Sequence, residues 1–355
     1  MNKYDHGGDI YDLPQKPLDF SANISPLGVP QGVAEAVCRE ASHFDIYPDP
    51  RCGKLREALG RCHGIDPERI ACGNGAADLI YRTVRYFRPR KALLAVPTFS
   101  EYEKALEEEH CAIIRYALPL PRFGGDAGIL PLISAETDML FLCNPNNPTG
   151  LLWEKALMEK VITKCRNTQT ILVIDECFNE FLDDPADHSA LAFLNASANL
   201  IILKAFTKIY AMAGFRLGYI LCGSEETGRG IAAAGQAWSV SSVAQTAGIA
   251  ALTETSYVEE VRRLVKEERN SMKDALSGLG LEVLGGEANY IFFRISETSG
   301  FDQSRFFEQL RCRGFLLRSC ANYSGLDDTY YRVSLRKHEE NQALISALRT
   351  LRGET

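Results

Sequence analysis

The chain is poor in the features that mark several large protein classes. No lysine or arginine run stands out, and the net charge is −7, which argues against nucleic acid as a partner. No apolar run approaches the length of a bilayer span, so no membrane association is expected. The opening residues, Met1 to Gly8, carry no apolar h-region, and no signal peptide is expected. Among 11 cysteines there is no Cys-x-x-Cys pair, and the histidines lack metal-ligand spacing. The sequence therefore predicts no metal site, and reduced, mostly buried thiols in a cytoplasmic protein. There is no internal repeat and no low-complexity linker, and no extra N-terminal helix-turn-helix segment is expected.

What remains is the composition of a globular protein, 46% hydrophobic and 24% charged, in 355 residues. That length suits one large domain with a smaller companion. Short apolar runs at Ala92–Pro97, Met139–Cys143, Thr170–Ile174, Leu200–Leu203 and Tyr219–Cys222 alternate with helical-period segments such as Trp153–Arg166. Continuous apolar runs without alternation predict strands of a parallel sheet covered on both faces, hence an α/β core. The last third reads as α+β. It has a β-like stretch at Leu281–Ile295 broken by Gly285-Gly286 and a helix over Phe301–Arg313. Strands are expected at Phe315–Arg318 and Tyr331–Leu335, and a closing helix over Glu339–Leu351. The expected division is an N-terminal arm, 1–30, packing with the small domain; a large domain, 31–254; and a small domain, 255–355, entered through a long helix at Val258–Leu279.

Several of these strands end in polar residues where an open α/β sheet places its ligands. Leu203 is followed by Lys204-Ala205-Phe206-Thr207-Lys208, and Arg216 stands in Gly214-Phe215-Arg216-Leu217-Gly218. A lysine at the end of a buried strand either reaches solvent or is neutralised, for example as a Schiff base with an aldehyde cofactor. Thr207 and Arg216 could then hold that cofactor's phosphate. Asp175, in Ile174-Asp175-Glu176, is either a helix cap, a metal-site carboxylate or the partner of a cationic ring nitrogen. Asn147, in Asn147-Pro148-Thr149-Gly150, is either an ordinary turn residue or a hydrogen-bond donor to a ring oxygen. Gly73-Asn74-Gly75-Ala76-Ala77 precedes a helical stretch at Leu79–Tyr86 and suits a phosphate cradle, though it lacks the Gly-Lys-Ser/Thr ending of a Walker A loop. Phe99, after Val96-Pro97-Thr98, is either core or a stacking platform.

This ordered set resembles the fold-type I pyridoxal-phosphate aminotransferase family, class I and II, over essentially the whole chain. The resemblance implies that Lys208 carries pyridoxal 5'-phosphate as a Schiff base and that Asp175 pairs with the pyridine nitrogen. Asn147 would hold the ring hydroxyl and Phe99 would stack on the ring. Gly75, Ala76, Ala77, Thr207 and Arg216 would bind the cofactor phosphate. Tyr47, in Tyr47-Pro48-Asp49-Pro50, resembles the family tyrosine that reaches the phosphate of the neighbouring subunit, which implies a homodimer with a shared active site. Two positions depart from the family pattern. Ala205 replaces a Ser or Thr three residues before the lysine, and Phe178 replaces a Tyr that donates to the ring oxygen.

Within the family, the chain resembles two subfamilies that act on small phosphorylated amino compounds: threonine-phosphate decarboxylases of cobalamin biosynthesis and histidinol-phosphate aminotransferases. His6-Gly7-Gly8, the segment from Leu18 to Gly28, the segment from Leu316 to Leu326, and Phe178 look more like the decarboxylases. Ser319 stands where both subfamilies usually have Asp. By this resemblance Arg332 forks onto the substrate carboxylate, while Arg318, His6 and Asn23 serve the substrate phosphate. The implied reaction is decarboxylation of L-threonine O-3-phosphate to aminopropanol phosphate, with amino transfer from histidinol phosphate to 2-oxoglutarate as the alternative. Phosphoserine decarboxylation or a non-catalytic pyridoxal-phosphate protein stands behind these.

Overall fold

The computed structural model describes residues 6–11, 16–119, 121 and 123–353. Its central sheet has seven strands: β2 (Ile70–Gly73), β3 (Lys91–Val96), β4 (Ala112–Ala117), β5 (Met139–Cys143), β6 (Ile171–Asp175), β7 (Leu200–Ala205) and β8 (Gly218–Cys222), with β1 assigned to a short N-terminal strand, Leu18–Asp19. The spatial order is β2-β8-β7-β6-β5-β3-β4. Only β8 runs against its neighbours. The inner strands are buried along almost their whole length because helices cover both faces, which is why they read as unbroken apolar runs. Two strands escape the sequence reading. β4 is an edge strand with mixed exposure and an internal Arg115, and β2 is four residues long and runs into the glycine turn.

A second sheet of four antiparallel strands has the order β12-β13-β10-β9, built from β9 (Glu282–Gly285), β10 (Tyr290–Arg294), β12 (Arg318–Ser319) and β13 (Tyr330–Ser334). The helix Thr255–Gly278 buries Val261, Val265, Met272 and Leu276, a spacing that keeps one stripe facing inward. With Leu344, Ile345 and Leu348 of the helix His338–Arg352 it closes a core separate from that of the large sheet.

Two expectations for the last third need correction. The helix expected over Phe301–Arg313 is confined to Phe306–Cys312. Asp302 Oδ1 accepts from the Ser304 backbone N–H at 3.1 Å and from its hydroxyl at 2.7 Å, a local turn that competes with helix. The strand expected over Phe315–Arg318 is two short strands. β11 (Phe315–Leu316) pairs in parallel with β1, whereas β12 pairs with β13.

The N-terminal arm touches both units. Its β1 joins β11, Phe20 enters the second core, and the Ser334 N–H donates to the Phe20 carbonyl at 2.9 Å. Further along, the Ser25 N–H donates to the Lys208 carbonyl at 2.9 Å. The arm thus crosses from the second sheet to the carboxyl edge of the first.

Candidate active site

Parallel strands put all their carboxyl ends on one edge. β3 delivers Phe99 there, β5 delivers Asn147, β6 delivers Asp175, and β7 delivers Thr207 and Lys208. Because β8 is antiparallel, Arg216, two residues before its start, arrives at the same edge. One cleft is lined by Ala76, Ala77, Phe99, Asn147, Asp175, Phe178, Ala205, Thr207, Lys208 and Arg216. Residues scattered over 141 positions of sequence, from 76 to 216, meet because the sheet order brings their strand ends side by side.

The glycine turn forms one end of the cleft. Gly75 caps the helix Ala76–Phe87 with φ 86° and ψ 164°, a conformation open essentially to glycine alone. A Cβ on Gly75 would lie 2.6 Å from Arg216 Nη2, and one on Gly218 would lie 2.5 Å from the Ala76 nitrogen. The Arg216 guanidinium therefore sits hard against the helix N-terminus. The first-turn amides, the guanidinium and the Thr207 hydroxyl make a cradle for an anion.

Two lysines near the end of β7 have opposite surroundings. Lys204 is buried and ion-paired with Glu176 and Glu180, each at 3.1 Å, and these carboxylates hold its pKa above the usual value. Lys208 meets no carboxylate within ion-pair distance among the described residues. Desolvation first, and then the Arg332 charge, lower its pKa to about 8. Its Nζ lies 5.4 Å from the centroid of the Phe178 ring, which packs edge-on to Tyr290. The amine thus gives up its proton more readily than an ordinary lysine, which favours the aldehyde-bonding role.

Asp175 is fixed from two sides. Its Oδ1 accepts from the Cys177 N–H at 2.9 Å and its Oδ2 from the Tyr102 hydroxyl at 2.5 Å. Asn147 Oδ1 accepts from Arg332 and, at 3.3 Å, from the Tyr323 hydroxyl. Arg332 also donates to the Ser21 carbonyl at 2.7 Å, and its Nε has no partner among the described residues. Nor does either side-chain polar atom of Asn23, which is buried on the arm between the Ser21 and Ser25 contacts. Arg318 is buried, with its guanidinium over Tyr323 and donating to Asn322 at 2.8 Å. His6 and Arg318 line one recess with Ser21 and Ser319. In this conformation the His6 imidazole is held by Glu101 at 2.8 Å and lies beside Phe99. Tyr47 is far more exposed, its ring tilted 31° against that of Trp238 with centroids 4.8 Å apart.

The sequence reading did not single out Tyr102 and Tyr323, whose hydroxyls reach Asp175 and Asn147. The available signal for Tyr102 is its position three residues after Phe99, the spacing that returns a helical side chain to the same face. The cradle a Cβ would fill, and the cleft that holds both the Asp175 carboxylate and the Lys208 amine, fit a planar, phosphorylated aldehyde.

A sheet that gathers these groups at its carboxyl edge, with an antiparallel companion sheet, defines a fold-type I enzyme of the pyridoxal-phosphate-dependent family. The chain matches the family Aminotransferase class I and II over residues 15–348, and it belongs to that family. It is 35% identical to a threonine-phosphate decarboxylase of Salmonella typhimurium, covering 98% of this chain and 96% of that one. It is 30% identical to a histidinol-phosphate aminotransferase of Moorella thermoacetica, over 94% and 85% of the two chains. Its fold is similar to that of the histidinol-phosphate aminotransferase of Clostridium acetobutylicum, with TM-score 0.88 and 27% identity over 94% and 98% of the chains.

Proposed function

We propose that this protein binds pyridoxal 5'-phosphate on Lys208 and decarboxylates L-threonine O-3-phosphate to aminopropanol phosphate in cobalamin biosynthesis. The observation that carries the substrate reading is the register of β12 on β13. Arg318 and Arg332 are directly opposed there, both buried. Opposed residues of an antiparallel pair project to the same face, so two guanidiniums stand one strand apart. No carboxylate pairs with Arg332 among the described residues. This arrangement suits a substrate with two anionic groups, a carboxylate on Arg332 and a phosphate toward Arg318, His6 and Asn23. The identity to a threonine-phosphate decarboxylase along almost the whole chain supports the same reading.

Pyridoxal phosphate, when bound, would supply an electron sink for the pair released at the substrate α-carbon. The chain's residues do the rest. Gly75, Ala76, Ala77, Thr207 and Arg216 would hold the cofactor's phosphate, Asp175 would pair with the ring nitrogen, Asn147 would serve the ring hydroxyl and Phe99 would stack on the ring. Arg332 and the Arg318 recess fix the substrate at two points and so set which α-carbon bond is aligned for cleavage. Lys208 Nζ returns a proton to the α-carbon after carbon dioxide leaves. Phe178 donates nothing to the ring.

Exposed Ile46, Tyr47 and Trp238 support a homodimer in which Tyr47 completes the partner's site. Free cysteines throughout suit a reducing cytoplasm. We place the domain divisions after residues 30 and 254, the second at the start of the long helix. Histidinol-phosphate aminotransfer is the second reading, favoured by the similarity to the two aminotransferases. Incubation with phosphothreonine, phosphoserine and histidinol phosphate plus 2-oxoglutarate, scoring carbon dioxide and glutamate separately, decides. Carbon dioxide from phosphothreonine is expected. Glutamate from histidinol phosphate alone overturns the decarboxylase reading.

A further inference from the structure

We infer that Tyr102 is a positioning residue that fixes two cofactor contacts at once, the Asp175 carboxylate and the Phe99 ring. The inference rests on the cofactor reading above. Tyr102 is fully buried in the helix Ser100–Glu108, where its ring stacks on Phe141 at 5.0 Å and 9° between planes. Phe141 belongs to β5, the strand that leads to Asn147, so the tyrosine is anchored on the sheet itself. Its hydroxyl donates to Asp175 Oδ2 at 2.5 Å. Phe99 meets the same ring edge-on, centroids 5.6 Å apart at 83°. Burial first, and then the Asp175 charge, hold the phenol pKa well above its ordinary value, so the hydroxyl stays a donor.

The consequence is chemical as well as mechanical. With Oδ1 occupied by the Cys177 N–H and Oδ2 by Tyr102, the carboxylate is held against rotation, and both contacts fix where its oxygens point. A carboxylate fixed in this way would be the partner that holds the proton of a facing ring nitrogen. Tyr102 lies behind the residues that line the cleft rather than among them. It acts through Asp175 and Phe99.

The test is Tyr102→Phe, which keeps the ring and removes the hydroxyl, in holoenzyme reconstituted with pyridoxal phosphate labelled with 15N at the ring nitrogen. A hydrogen bond to a charged group is lost, so kcat should fall ~10-fold or more with KM little changed. The 15N resonance should move toward that of the unprotonated ring. In an Asp175→Asn background the same substitution should change kcat less than twofold, because its route of action is gone. A purely structural role would lower the melting temperature yet leave the 15N shift in place and persist in the Asp175→Asn background, and that result overturns the inference. Unchanged kcat and 15N shift in Tyr102→Phe overturn it as well. Wild-type protein that takes up no pyridoxal phosphate would overturn the cofactor reading, and the inference with it. Normal wild-type uptake with an inert Tyr102→Phe confines the failure to Tyr102.

Discussion

At the residue scale, Lys208 and Lys204 show how little residue type says without its surroundings. They stand four positions apart near the end of one strand, and one is charged by two carboxylates while the other is stripped of water beside Arg332. Burying the Lys208 charge costs stability, and the sign follows from proton binding. Between about 8 and the ordinary lysine value of 10.5 the folded state binds fewer protons than the unfolded one. Stability of the cofactor-free protein should therefore rise with pH across that window, through this group. Lys208→Met should then stabilise the cofactor-free protein at pH 7 by on the order of 2 kcal/mol, read by urea unfolding, while abolishing the borohydride-reducible chromophore. A destabilised Lys208→Met protein, or one that still turns over, would contradict the assignment. The substrate arginines should separate by character. Arg332→Ala should raise KM ~10-fold or more for amino acids with or without a phosphate, since a charged hydrogen bond is lost. Arg318→Ala should penalise the phosphorylated substrate and spare free threonine. Steady-state kinetics on both substrates checks this, and unchanged phosphate selectivity would place the phosphate elsewhere.

At the scale of elements, the cradle depends on a turn and the stability of its neighbours on a buried ion cluster. Gly75→Ala puts a Cβ against Arg216 and forces an L-residue into a glycine-only conformation. It should cost ~1–3 kcal/mol of stability and weaken pyridoxal-phosphate retention, measured by equilibrium dialysis. Normal retention would mean that the phosphate lies elsewhere. Lys204→Ala removes the cation that Glu176 and Glu180 share, leaving buried Glu176 without an ion-pair partner among the described residues, while Glu180 keeps Arg262 of the long helix at 2.8 Å. Breaking a buried pair by removing one partner typically costs ~3–5 kcal/mol. Denaturant unfolding should show a loss of that size, with Lys204→Met smaller because its side chain still fills the space.

At the scale of the whole molecule, the exposed Ile46–Tyr47–Trp238 surface is the face expected to meet a second copy. Wild-type protein should sediment as a dimer. Trp238→Glu should shift it toward monomer and weaken cofactor retention, since Tyr47 would no longer reach the partner's phosphate. An active monomer at assay concentration would rule out the shared site.

The sequence by itself determined the elements whose burial is complete and the residues whose chemistry is unusual. The inner strands β3, β5, β6 and β7 are dry on both faces, so their apolar runs are unbroken and legible. Lys208, Asp175, Asn147, Arg216 and the glycine turn stood out because polar residues at the ends of such runs need partners. The edge strand β4, the reversed direction of β8 and the division of Phe315–Ser319 between two sheets were not legible, because they depend on which strand lies alongside. Only the tertiary structure set Arg318 opposite Arg332, placed the Tyr102 hydroxyl on Asp175, gave Lys204 its two carboxylates and left Lys208 without one among the described residues. Each of these is a long-range contact, and the pattern of residues along the chain fixes which groups seek burial or charge without fixing which distant group answers.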